Sequence, residues 1–399
     1  MRISLICCPF KTSFGSYARA LKTELEKKTG ETVQWIGSNC GCGDPAEVGR
    51  QFLLPKNQCD YFEMPIVGDF RTAKHPWKRY LKSIARDVLI PLKAKRYASL
   101  AKGAEIVHFQ QILDAYGSKA VFAWLQQLSK ASKIVTVHEL DHDQLENPES
   151  NQTYNLANAV IVHCQEMREH LINLGVQPEK IHVLLWGIDL PLPEQEHVRE
   201  GIVFYGGHKL LTNKGLVTLF KAMSIIRKQM AADTPILKIH GHYGSLPEAA
   251  RRMAVEHGIA DKVVWLEHIS DEEMVHLYQH SQLCVLPYTG SFAGLPASQA
   301  AACRLPVVCT RRAGLPDHLG ELGIWVDENN AGQLAERITE LLGNEAARKE
   351  IGSHLRKRAE ALLRWDVIAE QTLNIYRESF RDKYGLGLEE KDELRALAI

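Results

Sequence analysis

No stretch of this 399-residue sequence is apolar for long enough to form a membrane-spanning helix. The basic-then-apolar start, Met1-Arg-Ile-Ser-Leu-Ile-Cys-Cys8, is cut short by Pro9-Phe-Lys11. It is too brief for a signal peptide and reads as a buried first strand. Net charge is also missing, since 48 Lys and Arg balance 48 Asp and Glu. No global field draws the chain to nucleic acid, and none is expected as a partner. Any membrane contact must come from a local patch. There is no P-loop, because no Gly-Lys-Ser/Thr follows a glycine at the required distance. No tandem repeat is visible, which excludes a solenoid. The nine cysteines lack metal-ligand spacing. Cys7, Cys164, Cys284 and Cys309 sit in or beside strand-like runs, where a free thiol behaves as a small hydrophobe. Cys40-Gly-Cys42, with Cys59 behind it, is a close pair and a weak sign of metal or redox work. The default is a reducing, cytoplasmic setting with no metal and no bound cofactor.

What is present is alternation. Short β-branched runs recur at Arg2–Cys8, Thr32–Ile36, Glu105–Phe109, Lys133–Val137, Ala159–His163 and Ile181–Leu185. Helical patterns lie between several of them, beginning with Tyr17–Lys28. The rhythm stops around Gly187–Glu200, where two prolines and a charged stretch make a linker. It restarts with runs at Ile202–Tyr205, Ile236–His240, Val263–Leu266, Leu283–Leu286, Val307–Cys309 and Ile324–Val326. Ser270-Asp-Glu-Glu273 is a capping box opening a helix that runs to His280. Trp365–Phe380 reads as one long amphipathic helix. The expected fold is α/β, two Rossmann-like doubly wound domains facing a central cleft. The first domain covers residues 1–190 and is completed by a C-terminal helix at about 366–399; the second covers 191–365.

Tyr205-Gly-Gly-His-Lys-Leu-Leu-Thr-Asn-Lys-Gly215 joins a strand to a helix. Gly206 and Gly207 permit close backbone approach, Lys209 and Lys214 flank the loop, and Gly215 begins a helix whose amide end favours an anion. Taken alone, the stretch is equally an ordinary turn with solvated lysines. A second stretch, Ser291-Phe-Ala-Gly-Leu-Pro-Ala-Ser-Gln299-Ala-Ala-Ala-Cys-Arg-Leu-Pro-Val-Val308, follows a strand with a Gly turn and a small-residue helix. That layout suits a ribose and a diphosphate at a strand's carboxyl end, and Gly314-Leu-Pro-Asp317 makes the next turn.

With Leu363–Tyr376, these stretches resemble the retaining glycosyltransferases of GT-B fold, family 4, also called group 1. The resemblance implies transfer of a sugar from a nucleotide-sugar donor to a glycan or lipid-linked acceptor, with retention and without a divalent metal. It puts Gly207, Lys209, Lys214, Gly294 and Leu295 at the donor's phosphates, with Lys standing where the family has Arg. Lys214 would also act in catalysis, stabilising the leaving diphosphate. Both glutamates of the family's paired motif are replaced, the first by Ser291 and the second by Gln299. Gln still accepts a hydrogen bond from ribose, without charge assistance. His138, at a strand end in Thr136-Val-His-Glu-Leu-Asp141, is expected beside the donor sugar as a second catalytic residue. His108 is expected to end a neighbouring strand on the acceptor side, and Gly15 and Ser16 to form a glycine loop touching phosphate or acceptor. A strand-end histidine is more often structural, and a single glycine equally marks a plain turn. The missing acids leave rivals: a catalytically silent GT-B-like binding or scaffold subunit, a sugar-nucleotide epimerase, or a phosphorylase.

Residues 74–102 are basic, with Asp87 the one opposing charge. Trp77, Leu81, Ile84 and Val88 share a helical face; Lys78, Arg79, Lys82 and Arg86 share another. Such a segment suits an anionic membrane surface, placing the protein peripherally on the inner face of the membrane. It equally suits a helix packed on the first domain with its charges solvated.

Overall fold

The computed structural model describes residues 1–7, 13–38, 60–62, 101–110, 128, 130–138, 154–190, 198–206, 213–241, 248–267, 269–290 and 294–385. Cys40, Cys42, Cys59, Gly207, Lys209, Ser291 and the basic segment up to residue 100 lie outside them; Lys102 is exposed. The chain divides into two units. One holds Met1–Leu184 and the chain from Trp365 onward, the other Leu185–Arg364.

In the first unit, β1 (Ile3–Cys7) leads to α1 (Ser13–Thr29), β2 (Gln34–Ser38) and β3 (Asp60–Phe62). Then come β4 (Ile106–Gln110), β5 (Ser132–Val137), β6 (Ala159–Val162), α2 (Gln165–Asn173) and β7 (Ile181–Val183). The seven strands pair in parallel in the order β3-β2-β1-β4-β5-β6-β7. Strands β4 and β6 are buried along their whole length, as near-continuous apolar runs in parallel sheets are. The order reverses between β1 and β4, and such a switch point opens a crevice beyond the strand ends. Helix α1 starts at Ser13, ahead of the expected start at Tyr17.

The second unit repeats the plan with β8 (Ile202–Tyr205), α3 (Leu216–Met230), β9 (Leu237–Gly241), α4 (Glu248–Glu256), β10 (Val263–Glu267) and α5 (Asp271–Gln279). It continues with β11 (Leu283–Leu286), α6 (Leu295–Ala302), β12 (Val307–Thr310), α7 (Leu315–Leu319), β13 (Ile324–Val326), α8 (Ala331–Leu342) and α9 (Glu345–Leu362). The order is β10-β9-β8-β11-β12-β13, all parallel, with its switch between β8 and β11. The capping box forms: Ser270 Oγ accepts from the Glu273 N–H at 3.1 Å, and Glu273 Oε2 accepts from the Ser270 N–H at 2.7 Å.

Helix α10 (Trp365–Tyr384) belongs to the first unit, where it packs on α1 and β5. The second unit begins at Leu185, ahead of the boundary expected after residue 190. The reason is local: the Ile188 N–H donates to the Leu363 carbonyl at 2.8 Å, and Ile188 bridges to Arg364. The entry and exit of this unit are thereby joined. Among the described residues no helix is long and apolar enough to cross a membrane.

Candidate functional site

Each unit gathers polar groups at one place among its strands. In the second unit, that place is the switch between β8 and β11. The Asn213 carbonyl accepts the N–H groups of Thr289 and Gly290 at 2.9 and 3.2 Å, fastening the start of α3 to the loop after β11. Gly215 caps α3 with φ 72°. A Cβ there would stand 1.8 Å from the Pro287 carbonyl oxygen, so only glycine fits. The preceding residue, Lys214, is buried, its Nζ 4.0 Å from the centroid of the Tyr288 ring. A desolvated cation over an aromatic face is held by about 2 kcal/mol.

Tyr288 is itself fixed at both ends. Its hydroxyl donates to the Tyr205 carbonyl at 2.7 Å, and its carbonyl accepts the Thr310 hydroxyl at 2.6 Å. Burial pushes the Tyr288 phenol well above its ordinary range, so it stays a neutral donor. The carboxyl ends of β8, β11 and β12 are thus tied together around one ring, with Lys214 on its face.

Gly294 caps α6 with φ 86°. Leu295 is the first helical residue, and an N–H there has no partner within a helix. Gln299 lies one turn on and is half-buried. Asp317 lies in α7 next to His318, and its carbonyl accepts from Arg358 Nη2 at 2.9 Å. The amide ends of α3 and α6 and the Lys214 ammonium are one set of groups suited to an anion.

In the first unit the polar groups are histidines. Parallel pairing sets Val137 of β5 beside Val162 of β6, so His138 and His163, the next residues, are neighbours. The His163 Nδ1–H donates to the Leu184 carbonyl at 2.8 Å, because a carbonyl only accepts. A neutral His163 then has a bare Nε2, and the His138 Nδ1–H donates to it at 2.8 Å. That leaves the His138 Nε2 bare, 3.0 Å from the Gln110 side-chain amide. This proton order requires the NH2 end of Gln110 there; a half-turn of the amide supplies it. Burial, then His163 and His108, push the His138 pKa well below its ordinary value. Tyr17 packs edge-on to His138 at 4.8 Å and to Trp365 at 5.0 Å.

His108 differs from expectation. It lies inside β4 rather than at its end, fully buried, with Nδ1 2.6 Å from the Tyr376 hydroxyl and Nε2 2.7 Å from Thr136 Oγ1. Burial lowers its pKa to about 3. Its place is the interior, because α10 covers this side of the sheet and supplies the phenol. Gly15 and Ser16 also differ: both lie in the first turn of α1, Gly15 buried and Ser16 exposed, rather than in a loop. Their amides are among the first-turn N–H groups that no helix satisfies, so the helix itself offers what a glycine loop would.

Residues that the sequence reading passed over are Gln110, His163, Tyr288, Thr310, His318 and Tyr376. One signal was available. The runs Ile134-Val-Thr-Val-His138 and Val160-Ile-Val-His163 both close on Val-His, and adjacent parallel strands bring such ends together.

The chain matches two family models, one per unit: Glycosyltransferase Family 4 over residues 16–192 and Glycosyl transferases group 1 over residues 194–358. Among solved structures, sucrose-phosphate synthase from Thermosynechococcus elongatus superposes with a TM-score of 0.71 at 21% identity, covering 96% of this chain and 100% of that one. Two doubly wound parallel units with these matches define a GT-B fold. The chain belongs to the group 1, family 4 glycosyltransferases. It is similar to D-inositol 3-phosphate glycosyltransferase of Mycolicibacterium smegmatis, 31% identical over 209 residues, 49% of this chain and 48% of that protein. It is also similar to MMP alpha-(1->4)-mannosyltransferase of Mycolicibacterium hassiacum, 26% identical over 214 residues, 52% of this chain and 51% of that protein. The match spans about half the length of these curated relatives.

Proposed function

We propose that this protein transfers a sugar from a nucleotide-sugar donor to a glycan or lipid-linked acceptor, retaining the anomeric configuration and needing no divalent metal. The observation that carries the reading is the buried Lys214, stacked on Tyr288 beside the cap of α3. Its ammonium and the amide ends of α3 and α6 supply fixed positive charge where the departing diphosphate gains negative charge. Lys209, five residues earlier in the sequence, offers a second cation. Gln299 holds the ribose by hydrogen bonds, and Ser291 takes the sequence position of the family's first glutamate. His138, the residue after β5, stands on the donor-sugar side in this reading. Gly15 and Ser16 offer first-turn amides to phosphate or acceptor. The basic segment 74–102 favours an acceptor carried on an anionic membrane surface. The activities named for both curated relatives, a mannosyl and a glycosyl transfer, support this class of reaction.

Calorimetric titration with UDP, GDP, ADP and CDP tests the reading. One diphosphate should bind, and Lys214→Ala should weaken it by about 1.5–3 kcal/mol, the size of one charge-assisted contact. Turnover of the matching nucleotide-sugar should survive EDTA. The replaced acids at 291 and 299 favour one second reading, a silent binding subunit. Binding of none of the four diphosphates, or binding without turnover of any donor, would favour it.

A further inference from the structure

His318 is buried beside the cap of α6, 1% exposed. Its Nδ1–H donates to the Gly314 carbonyl at 2.7 Å, and its Nε2 accepts the Trp186 N–H at 3.2 Å. A carbonyl only accepts and an amide N–H only donates, so both the tautomer and the ring orientation are fixed. Burial, with the Arg358 guanidinium nearby, pushes its pKa down to about 4, and the ring is neutral at ordinary pH.

Three parts of the unit meet at this ring. The first is the entry segment, represented by Trp186; two residues on, Ile188 is bonded to Leu363 at the exit. The second is α7, held from its other side by Arg358, whose Nε and Nη2 donate to the His318 and Asp317 carbonyls, both at 2.9 Å. The third is Gly294, so close that a Cβ there would come 2.6 Å from His318 Nδ1 and 2.9 Å from Cε1. A shift of the entry segment therefore reaches the cap of α6 through one rigid imidazole.

We infer that His318 is a positioning residue: it ties the entry segment at Trp186 to Gly294 and so sets the amide end of α6. That this amide end meets a diphosphate rests on the donor reading above; the mechanical link does not. The side chains that imitate each half of the ring separate its two bonds. Gln reaches as far as Nε2 and keeps an acceptor for the Trp186 N–H. Asn reaches only as far as Nδ1 and keeps the bond to Gly314. Leu fills the space and keeps neither.

Hydrogen exchange on the full chain without nucleotide tests the link. In His318→Leu, exchange should rise at least tenfold in both 184–188 and 295–299. His318→Asn should behave alike, and His318→Gln should stay close to the parent. Leu334→Ala, a cavity in α8, should not single out these two segments. With whichever of UDP, GDP, ADP and CDP binds, His318→Leu should weaken affinity at least fivefold at a temperature where all variants are folded. Unchanged exchange at 295–299 while 184–188 opens would overturn the link, as would an identical pattern in Leu334→Ala. If His318→Leu does not fold, the contrast between Asn and Gln decides it. If the parent binds no diphosphate, the donor reading fails, and the exchange pattern alone still decides the link.

Discussion

His108 and His318 are held as neutral rings inside the protein, and acid discloses what that requires. In an unfolded chain each titrates near 6.5; in the fold they titrate at about 3 and about 4. Above pH 6.5 both states are neutral and pH has no effect through them. Below it only the unfolded chain binds the protons, so stability falls until the folded values are reached. The slope is about 1.4 kcal/mol per pH unit for each ring. At pH 5 each therefore removes about 2 kcal/mol. Denaturant midpoints measured at pH 7, 6 and 5 should fall steadily, and the fall in His318→Gln should be smaller by about that amount. A midpoint that ignores pH over this range would contradict the assignment of neutral rings. At this scale Lys214 and Gly215 were legible, because a glycine and a cation at a strand-to-helix turn have a local meaning. His318 and Tyr288 were not. Their importance comes from partners 132 and 83 residues away, and only the folded register supplies those.

Helix α10 shows what a period discloses and what it leaves open. The apolar spacing of Ile368, Ala369, Thr372, Leu373, Tyr376 and Phe380 dictates one buried face. Nothing in that spacing says which sheet the face covers. The answer lies in polar contacts: Tyr376 with His108, Ser379 with Ser132, Lys383 with the Ala131 carbonyl and Tyr384 with the Lys130 carbonyl. Tyr376→Phe keeps the apolar face and leaves the His108 Nδ1 without its phenol. It should lower stability by about 1 kcal/mol, the net worth of one buried hydrogen bond, because the Gln110 side-chain amide stays 3.3 Å from the same Nδ1. Urea denaturation of the full chain reads that loss, and a change below about 0.5 kcal/mol would mean the phenol is replaceable. Strands were legible for the opposite reason: buried parallel strands are continuous apolar runs whatever their neighbours. Strand β3 escaped because Asp60-Tyr-Phe62 is too short to carry any pattern.

The two units carry separate buried clusters. One extends from Ile6 to Ile181, the other from Ile188 to Leu363. If Lys214 and the amide ends of α3 and α6 are the groups that hold a diphosphate, and the Gly15 and Ser16 amides do not, only the second unit binds it. Calorimetric scans should therefore resolve two transitions, and the bound diphosphate should raise only one. At a hundredfold excess over Kd that unit gains about 2.7 kcal/mol. Both transitions rising together would place the ligand on both units. The doubling of the plan was legible in the sequence as a rhythm that stops and restarts. The point of division was not, because the ties that hold the entry segment to the second unit, Ile188 to Leu363 and Trp186 to His318, join residues far apart in sequence. The Ile188–Leu363 bond has an evolutionary consequence. A segment whose two ends meet can be lifted out of one chain and set into another without rethreading its host. Residues 185–364 are therefore an exchangeable cassette, and the strands and closing helix around them can keep their pairing while the inserted half is traded for one of different taste.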